Sequence, residues 1–438
     1  MSGEEIVMFC APDLVGFNRG RSFPLSDLKD RMTRGLVLPP VVQALTGFGD
    51  IAAGEPWGPM GDVALIGDPE AEVRVDLGEG VPPLHFFMAD WYTLDGKPWE
   101  ACARSFLKNA VADLEKDAGL RIRSGVEHEF NLAPVSPAPG APFSLSALRV
   151  AAKFGSEVLA ALKQAGQEPE TFEPEYGGAQ YEIACRPALG VAGADRVAIV
   201  REVVREVARL AGVRATFTPL AALDAVGNGV HTHFSLEDVK GKPMSYDPAR
   251  PGHMSALFGS FLAGLLRHLP ALCAITTPSP VSYLRLLPGR WSSSCAAVGV
   301  GNREAALRLP LVWSGTGGDP ARSFNAELRP VDGTSCPHLV LAVVIRAGLE
   351  GIREKLPAPA LLNKAPAQCS ESELAAAGAQ PLPKTLSDAL HLLEQDKTVR
   401  SWFPKVLWDA FLAVKRHEIH RTERMEPAEL AEAYRLIY

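Results

Sequence analysis

Val126-Glu127-His128-Glu129-Phe130 is the stretch on which the reading of this chain turns. Successive side chains of a β-strand point to opposite faces, so Glu127 and Glu129 share one face while Val126, His128 and Phe130 take the other. Two carboxylates two residues apart stand roughly 6–7 Å apart along a strand. At an effective dielectric near 20 they repel by about 2–3 kcal/mol, so a buried face needs something positive nearby. Three further stretches repeat the pattern. Gln180-Tyr181-Glu182-Ile183 pairs Gln180 with Glu182, Val230-His231-Thr232-His233-Phe234 pairs the two histidines, and Ala326-Glu327-Leu328-Arg329-Pro330 pairs Glu327 with Arg329.

Any one of these segments alone reads as the wet face of an amphipathic strand. Together they outline one funnel lined by carboxylates, imidazoles and guanidinium groups. Hard divalent cations such as Mg²⁺ and Mn²⁺ favour carboxylate oxygens, accept an occasional imidazole and keep positions open for phosphate. The set therefore points to metal-assisted phosphoryl transfer. His128, on the opposite face, reads as structural.

Composition bounds the rest. A chain of 438 residues, 47% hydrophobic and 22% charged, has the profile of a globular protein of two or three domains. A net charge of −7 gives no electrostatic footprint for nucleic acid or an anionic membrane. No secretory signal is read at Met1–Met8, and the apolar run His338–Leu349 is too short to span a bilayer and carries Arg346. Seven scattered cysteines without a CxxC pair predict reduced thiols in a cytoplasmic protein. Residues 1–97, broken by Leu38-Pro39-Pro40, Gly54–Pro59 and Val81-Pro82-Pro83, predict a small sheet with long loops, and 98–438 a larger α/β body. Apolar spacing predicts a helix within Trp99–Ala118 closed by Gly119, and another running from Val197 to Leu210 with Asp195 as its N-cap. Pro134–Pro142 reads as a loop, and the chain from Thr385 onward as helical.

These stretches, in this order, resemble the glutamine synthetase family. Val126–Phe130 is similar to its paired metal-glutamate strand, Glu175-Tyr176-Gly177-Gly178-Ala179-Gln180-Tyr181-Glu182 to its Glu-x-x-x-Gly-Gln-x-Glu segment, and Gly227-Asn228-Gly229-Val230-His231-Thr232-His233-Phe234-Ser235-Leu236 to its Gly-x-Gly-x-His-x-His-x-Ser-Leu run. Ser282–Gly289, Asn302–Pro310 and Glu327-Leu328-Arg329 complete the series, which spans residue 98 to the end. The resemblance implies an α+β fold: a small N-terminal β-grasp-like domain, then a large catalytic domain with a curved antiparallel sheet flanked by helices. It implies two or more Mg²⁺ or Mn²⁺ ions, one held by Glu129, Glu175 and Glu182 and another by Glu127, His231 and Glu327. It implies ATP phosphates facing His233, Ser235, Arg303 and Arg308, and glutamate held by Gly227, Arg285 and Arg329. Arg303, Arg329 and Glu327 would act on the transferring phosphate, γ-glutamyl phosphate would be the intermediate, and the assembly would be a homo-oligomer of stacked rings, a dodecamer.

Departures from the pattern bear on the nitrogen substrate. The acidic residue that the family carries shortly after Gly289 is missing, with Arg290 and Trp291 in its place, and Leu45–Asp50 does not reproduce the family's Asp-Gly-Ser loop. Ammonium loses the groups that attract and deprotonate it, whereas Trp291 offers an apolar or cation–π wall to an organic amine. The family asparagine that contacts glutamate falls on Val226, and an arginine falls on Asn325. The expectation is thus an ATP-dependent ligase joining glutamate to a small amine, with a true glutamine synthetase and a non-catalytic homologue as alternatives.

Overall fold

The computed structural model describes residues 3–133, 141–287, 290, 292–293, 295–313, 315 and 317–438. Most of the expected Pro134–Pro142 loop, and Trp291, lie outside the described residues.

The N-terminal part is a five-stranded sheet built from β1 (Ile6–Pro12), β2 (Asn18–Pro24), β3 (Leu36–Leu38), β4 (Val63–Val75) and β5 (Leu84–Tyr92), in the order β2-β1-β5-β4-β3. All neighbours are antiparallel except β1 and β5. Alternation along β5 sends Phe87, Ala89 and Trp91 into the domain's own core, and Phe86 and Met88 into a second core shared with the catalytic part. β4 serves both cores although Val63, Leu65, Val73 and Val75 have the same parity, because a register shift between Gly67 and Glu72 turns the strand over.

The second sheet comprises β6 (Leu120–Ala133), β7 (Pro169–Pro174), β8 (Gln180–Cys185), β9 (Ala188–Leu189), β10 (Arg214–Thr216), β11 (Val230–Asp238), β12 (Cys295–Val300), β13 (Ala305–Leu309), β14 (Ala326–Leu328) and β15 (Gln380–Pro381). Its main path runs β15-β12-β13-β14-β11-β6-β8-β7, antiparallel apart from the β12–β13 pair. The four segments singled out from sequence are thus adjacent strands, β14-β11-β6-β8, in the middle of one sheet.

Helices back this sheet. Helices Ala256–Thr276 and Pro337–Arg353 cross so closely that a side chain on Gly264 would strike the backbone at Gly351. Among the described residues Ala256–Thr276 is also the one helix long and apolar enough to cross a membrane, and 78% of its apolar window is buried in the protein. The first predicted helix spans Ala103–Ala118, ended by Gly119 at φ 67°. The second departs from expectation. It spans Val191–Leu210, so Asp195 sits inside its first turns and caps nothing. Its carboxylate instead receives Arg104 Nη2 at 2.8 Å and His338 Nε2 at 2.7 Å, and Arg104 also reaches Asp68 and Asp90 on the N-terminal sheet. This buried cluster ties the two parts together.

Candidate active site

Strand register sets the site. β11 pairs with β6 so that His231 lies opposite Glu127, β6 pairs with β8 so that Glu129 lies opposite Glu182, and β11 pairs with β14 so that His233 lies opposite Glu327. Directly opposed side chains on one face are close neighbours, so the register alone places these groups together. Glu175, at the end of β7, joins them because its N–H bonds the Gln180 carbonyl across the β7–β8 turn.

Two acceptor clusters result. Ligand atoms of Glu129, Glu175 and Glu182 lie within 4.8 Å of one another, and so do those of Glu127, His233 and Glu327. His231 stands between the clusters, its Nδ1 3.3 Å from Glu127, 3.6 Å from Glu129 and 3.7 Å from Glu327. His233 Nε2 is 3.1 Å from Glu127 Oε1, and its Nδ1 contacts Asn325 Oδ1 at 2.9 Å. Both imidazoles therefore border the second cluster.

Electrostatics separates the clusters. Burial, then the Glu127, Glu129 and Glu175 carboxylates, pushes the Glu182 carboxyl up to about 11. Burial and Glu129 push Glu175 up to about 7. In the second cluster burial raises Glu127, but the two imidazoles outweigh it and hold that carboxyl below its ordinary range. Glu327 is lowered likewise: against burial act His231, Arg329 and His233. Its oxygens accept from Arg308 Nη1 at 2.8 Å and from Arg329 Nη1. Arg308 and Arg329 thus serve the second cluster, whereas two carboxyls of the triad are raised, and its three hard oxygen donors fit a divalent ion. The second set, two carboxylates with imidazole, fits another.

Beside the clusters lies a pair of buried arginines. Arg285 is 3% exposed; its Nη2 donates to the Arg329 carbonyl at 3.2 Å, while its Nη1 has no partner among the described residues. A buried guanidinium N–H left unsatisfied is costly and is suited to an anion. Gly227 and Gly229 make room for it: a Cβ on Gly227 would sit 2.6 Å from Arg285 Cγ, and one on Gly229 would sit 2.9 Å from Arg285 Nη2. Gly229 N–H also donates to Glu129 Oε2 at 2.7 Å. Ser235 is half-buried on the His231–His233 face of β11. Arg303 is exposed at the rim, and its carbonyl accepts from Arg329 Nε at 2.8 Å.

Three polar residues escaped the sequence reading. Gln180 donates to the Gly227 carbonyl and to Asn228 Oδ1, and Asn228 donates to Asn131 Oδ1 and the Thr218 carbonyl, so a buried amide chain fixes the loop that carries Gly227. Asn131 lies two residues beyond Glu129 on the same face of β6, which was the available signal. Buried Asp332 is the third. It accepts from Thr334, and its charge faces Arg285. His128, as expected, is buried away from the funnel, and burial holds it down to about 3.

Comparison with known proteins agrees with this geometry. The glutamine synthetase N-terminal domain model matches residues 2–99, and the glutamine synthetase catalytic domain model matches residues 100–433. The γ-glutamylpolyamine synthetase GlnA3 of Streptomyces coelicolor is 34% identical over 99% of this chain and 93% of its own length. The glutamine synthetase of Pyrococcus furiosus is 30% identical over 91% of this chain and 86% of its own. Among solved structures, a novel glutamine synthase homolog superposes with a TM-score of 0.93 at 44% identity, covering 100% of this chain and 99% of that one. GmaS in complex with ADP superposes at 0.83 with 26% identity, covering 97% and 95%.

Proposed function

Because this chain belongs to the glutamine synthetase family and is an ATP-dependent ligase, we propose that it joins the γ-carboxylate of glutamate to an organic amine through γ-glutamyl phosphate. The observation that carries the reading is the Nη1 of buried Arg285, unpartnered among the described residues, next to two acceptor clusters: an anion-binding fork beside a place for metal-bound phosphate. Divalent ions held by Glu129, Glu175 and Glu182, and by Glu127, Glu327 and a β11 imidazole, would neutralise the charge of the ATP phosphates. Arg285 and Arg329 then bind the α-carboxylate of glutamate, with Gly227 and Gly229 permitting the close approach. His233, Ser235, Arg303 and Arg308 line the phosphate side. The γ-carboxylate oxygen attacks the γ-phosphorus as ADP leaves. The amine nitrogen attacks the resulting acyl carbon, phosphate departs, and the nitrogen loses its proton. Rigid guanidinium forks suit both anions, and the protein's contribution is positioning and charge neutralisation.

An organic amine is favoured over ammonium by the missing acids, since Arg290 and Trp291 follow Gly289 and Leu45–Asp50 lacks the family's Asp-Gly-Ser. Similarity to a γ-glutamylpolyamine synthetase supports the same choice. The family boundary near residue 98, stacked rings of subunits and a cytoplasmic location, for which seven unpaired cysteines speak, complete the proposal. The test is ATP-dependent phosphate release with glutamate and Mg²⁺ or Mn²⁺ against ammonium, alkylamines, ethanolamine, polyamines and anilines. Turnover with organic amines is expected, and turnover with ammonium alone would refute the choice of nucleophile.

A further inference from the structure

The amides of Gln180, Asn228 and Asn131 do more than form a chain: they close a ring on the β7–β8 turn. Gly177 N–H donates to Gln180 Oε1 at 2.9 Å at one end, and Asn131 Nδ2 donates to the Gly178 carbonyl at 3.4 Å at the other. Between these ends Gln180 Nε2 donates to Asn228 Oδ1 at 2.9 Å, and Asn228 Nδ2 donates to Asn131 Oδ1 at 2.8 Å. The second N–H of each donor leaves the ring for backbone, from Gln180 to the Gly227 carbonyl at 3.0 Å and from Asn228 to the Thr218 carbonyl at 2.9 Å. Gln180 and Asn228 are each 1% exposed.

The ring admits one polarity. Turning over Gln180 or Asn228 would set oxygen against oxygen and N–H against N–H. Among the described residues, no buried atom of these amides lacks a partner. A buried network satisfied in this way holds one arrangement, and removing a member leaves the rest unmatched. Gly177 fits only as glycine, since a Cβ there would sit 2.6 Å from Gln180 Oε1.

The ring grips two things that the site needs together. One is the turn of Glu175, whose N–H also bonds the Gln180 carbonyl. The other is the loop of Gly227 and Gly229, whose backbones press against the Arg285 side chain. Val226, just ahead in that loop, has no polar group to share the task. His233 and Arg308, proposed for the phosphates, bond instead to Asn325, Glu127 and Glu327. Resting on the ligase reading above, we propose that Asn228 is the positioning residue of the amino-acid pocket. Through Gln180 and Asn131 it locks the Gly227–Gly229 loop to the β7–β8 turn, and so aims Arg285 at the α-carboxylate of glutamate.

The test is steady-state kinetics of the whole chain with glutamate, MgATP and the nucleophile that the wild type turns over best. The variants are Asn228→Ala, Gln180→Met, Asn131→Ala and the Asn131→Ala/Asn228→Ala double variant. Asn228→Ala and Gln180→Met should each raise the KM for glutamate roughly tenfold, while kcat and the KM for MgATP move by no more than about twofold. Asn131→Ala, which opens the ring at its longest bond, should raise the glutamate KM roughly threefold. The double variant should be no worse than Asn228→Ala alone, because the amides act as a unit. Hydrogen exchange of backbone 218–229 should quicken in every variant. Should Asn228→Ala not fold, Asn131→Ala carries the test, since Asn131 is the ring's most exposed member at 9%. An unchanged glutamate KM, a kcat and MgATP KM that worsen in step with it, or additive effects in the double variant overturns this inference alone. Absence of glutamate-dependent turnover in the wild type overturns the ligase reading and this inference with it.

Discussion

Glu182→Gln should raise the stability of the metal-free protein and weaken its response to metal, leaving the share of the second cluster. Ligand atoms of Glu129, Glu175 and Glu182 lie within 4.8 Å of one another. At that separation and an effective dielectric of 20, each ionised pair repels by about 3.5 kcal/mol. Without a cation the fold relieves this by keeping Glu182 protonated, at about 11 against an unfolded value of 4.5. A folded pKa raised above the unfolded one costs an acid stability at every pH above 4.5, and the cost grows with pH. At pH 7.5 the window is three units, or about 4 kcal/mol as an upper bound. Glutamine keeps the shape without the proton uptake, so the metal-free variant should gain about 1–4 kcal/mol at pH 7.5 and much less near pH 5. A divalent ion in the triad at a hundred times its dissociation constant stabilises the wild type by about 2.7 kcal/mol, and loss of one charged ligand should remove most of that site's share. Melting curves of EDTA-treated protein, with and without Mn²⁺, at both pH values read all of this. A variant whose metal-free form is no more stable, or whose Mn²⁺ response matches the wild type, would refute the reasoning.

Other expectations follow from the same geometry. Arg285→Lys, which loses the planar fork, should raise the KM for glutamate by roughly 10–100-fold in steady-state assays while changing the KM for ATP far less. Gly229→Ala, whose added carbon would press on Arg285 and His231, should cost about 1–3 kcal/mol in chemical denaturation and weaken Mn²⁺ binding by calorimetry. Burial raises Asp195, but His338 and Arg104 hold it at about 2, below its unfolded 3.8. It therefore contributes about 2 kcal/mol that is present above pH 4 and lost as pH falls toward 2, an acid-unfolding component that Asp195→Asn should lack. Trp291→Glu restores an acid beside Gly289 and should raise ammonium use relative to alkylamines in the phosphate-release assay.

The funnel was legible in the sequence because strands have a period of two: each polar pair announces its own face, and the motif order supplies the pairing. Partner strands far apart in the chain did not need to be guessed once the resemblance was recognised. What stayed hidden involves groups whose meaning depends on a distant neighbour. Asp195 looks like a cap because aspartate often is one, yet its partner Arg104 lies 91 residues away, and the helix starts after Gly190 at φ 54°. Asn131 and Asn228, which join the already evident Gln180 in a chain of neutral amides, carry no charge pattern to read. The apolar run His338–Leu349 lies within the buried helix Pro337–Arg353, whereas the longer apolar helix Ala256–Thr276 shows its character only in the fold, where its Arg267 and His268 both pair with carboxylates, including Glu350.

The most direct test of the central claim is mass-spectrometric identification of the product formed from glutamate, ATP and an equimolar mixture of ammonium and n-butylamine. The account predicts γ-glutamyl-n-butylamide in step with ADP and phosphate. Glutamine as the sole product would contradict it.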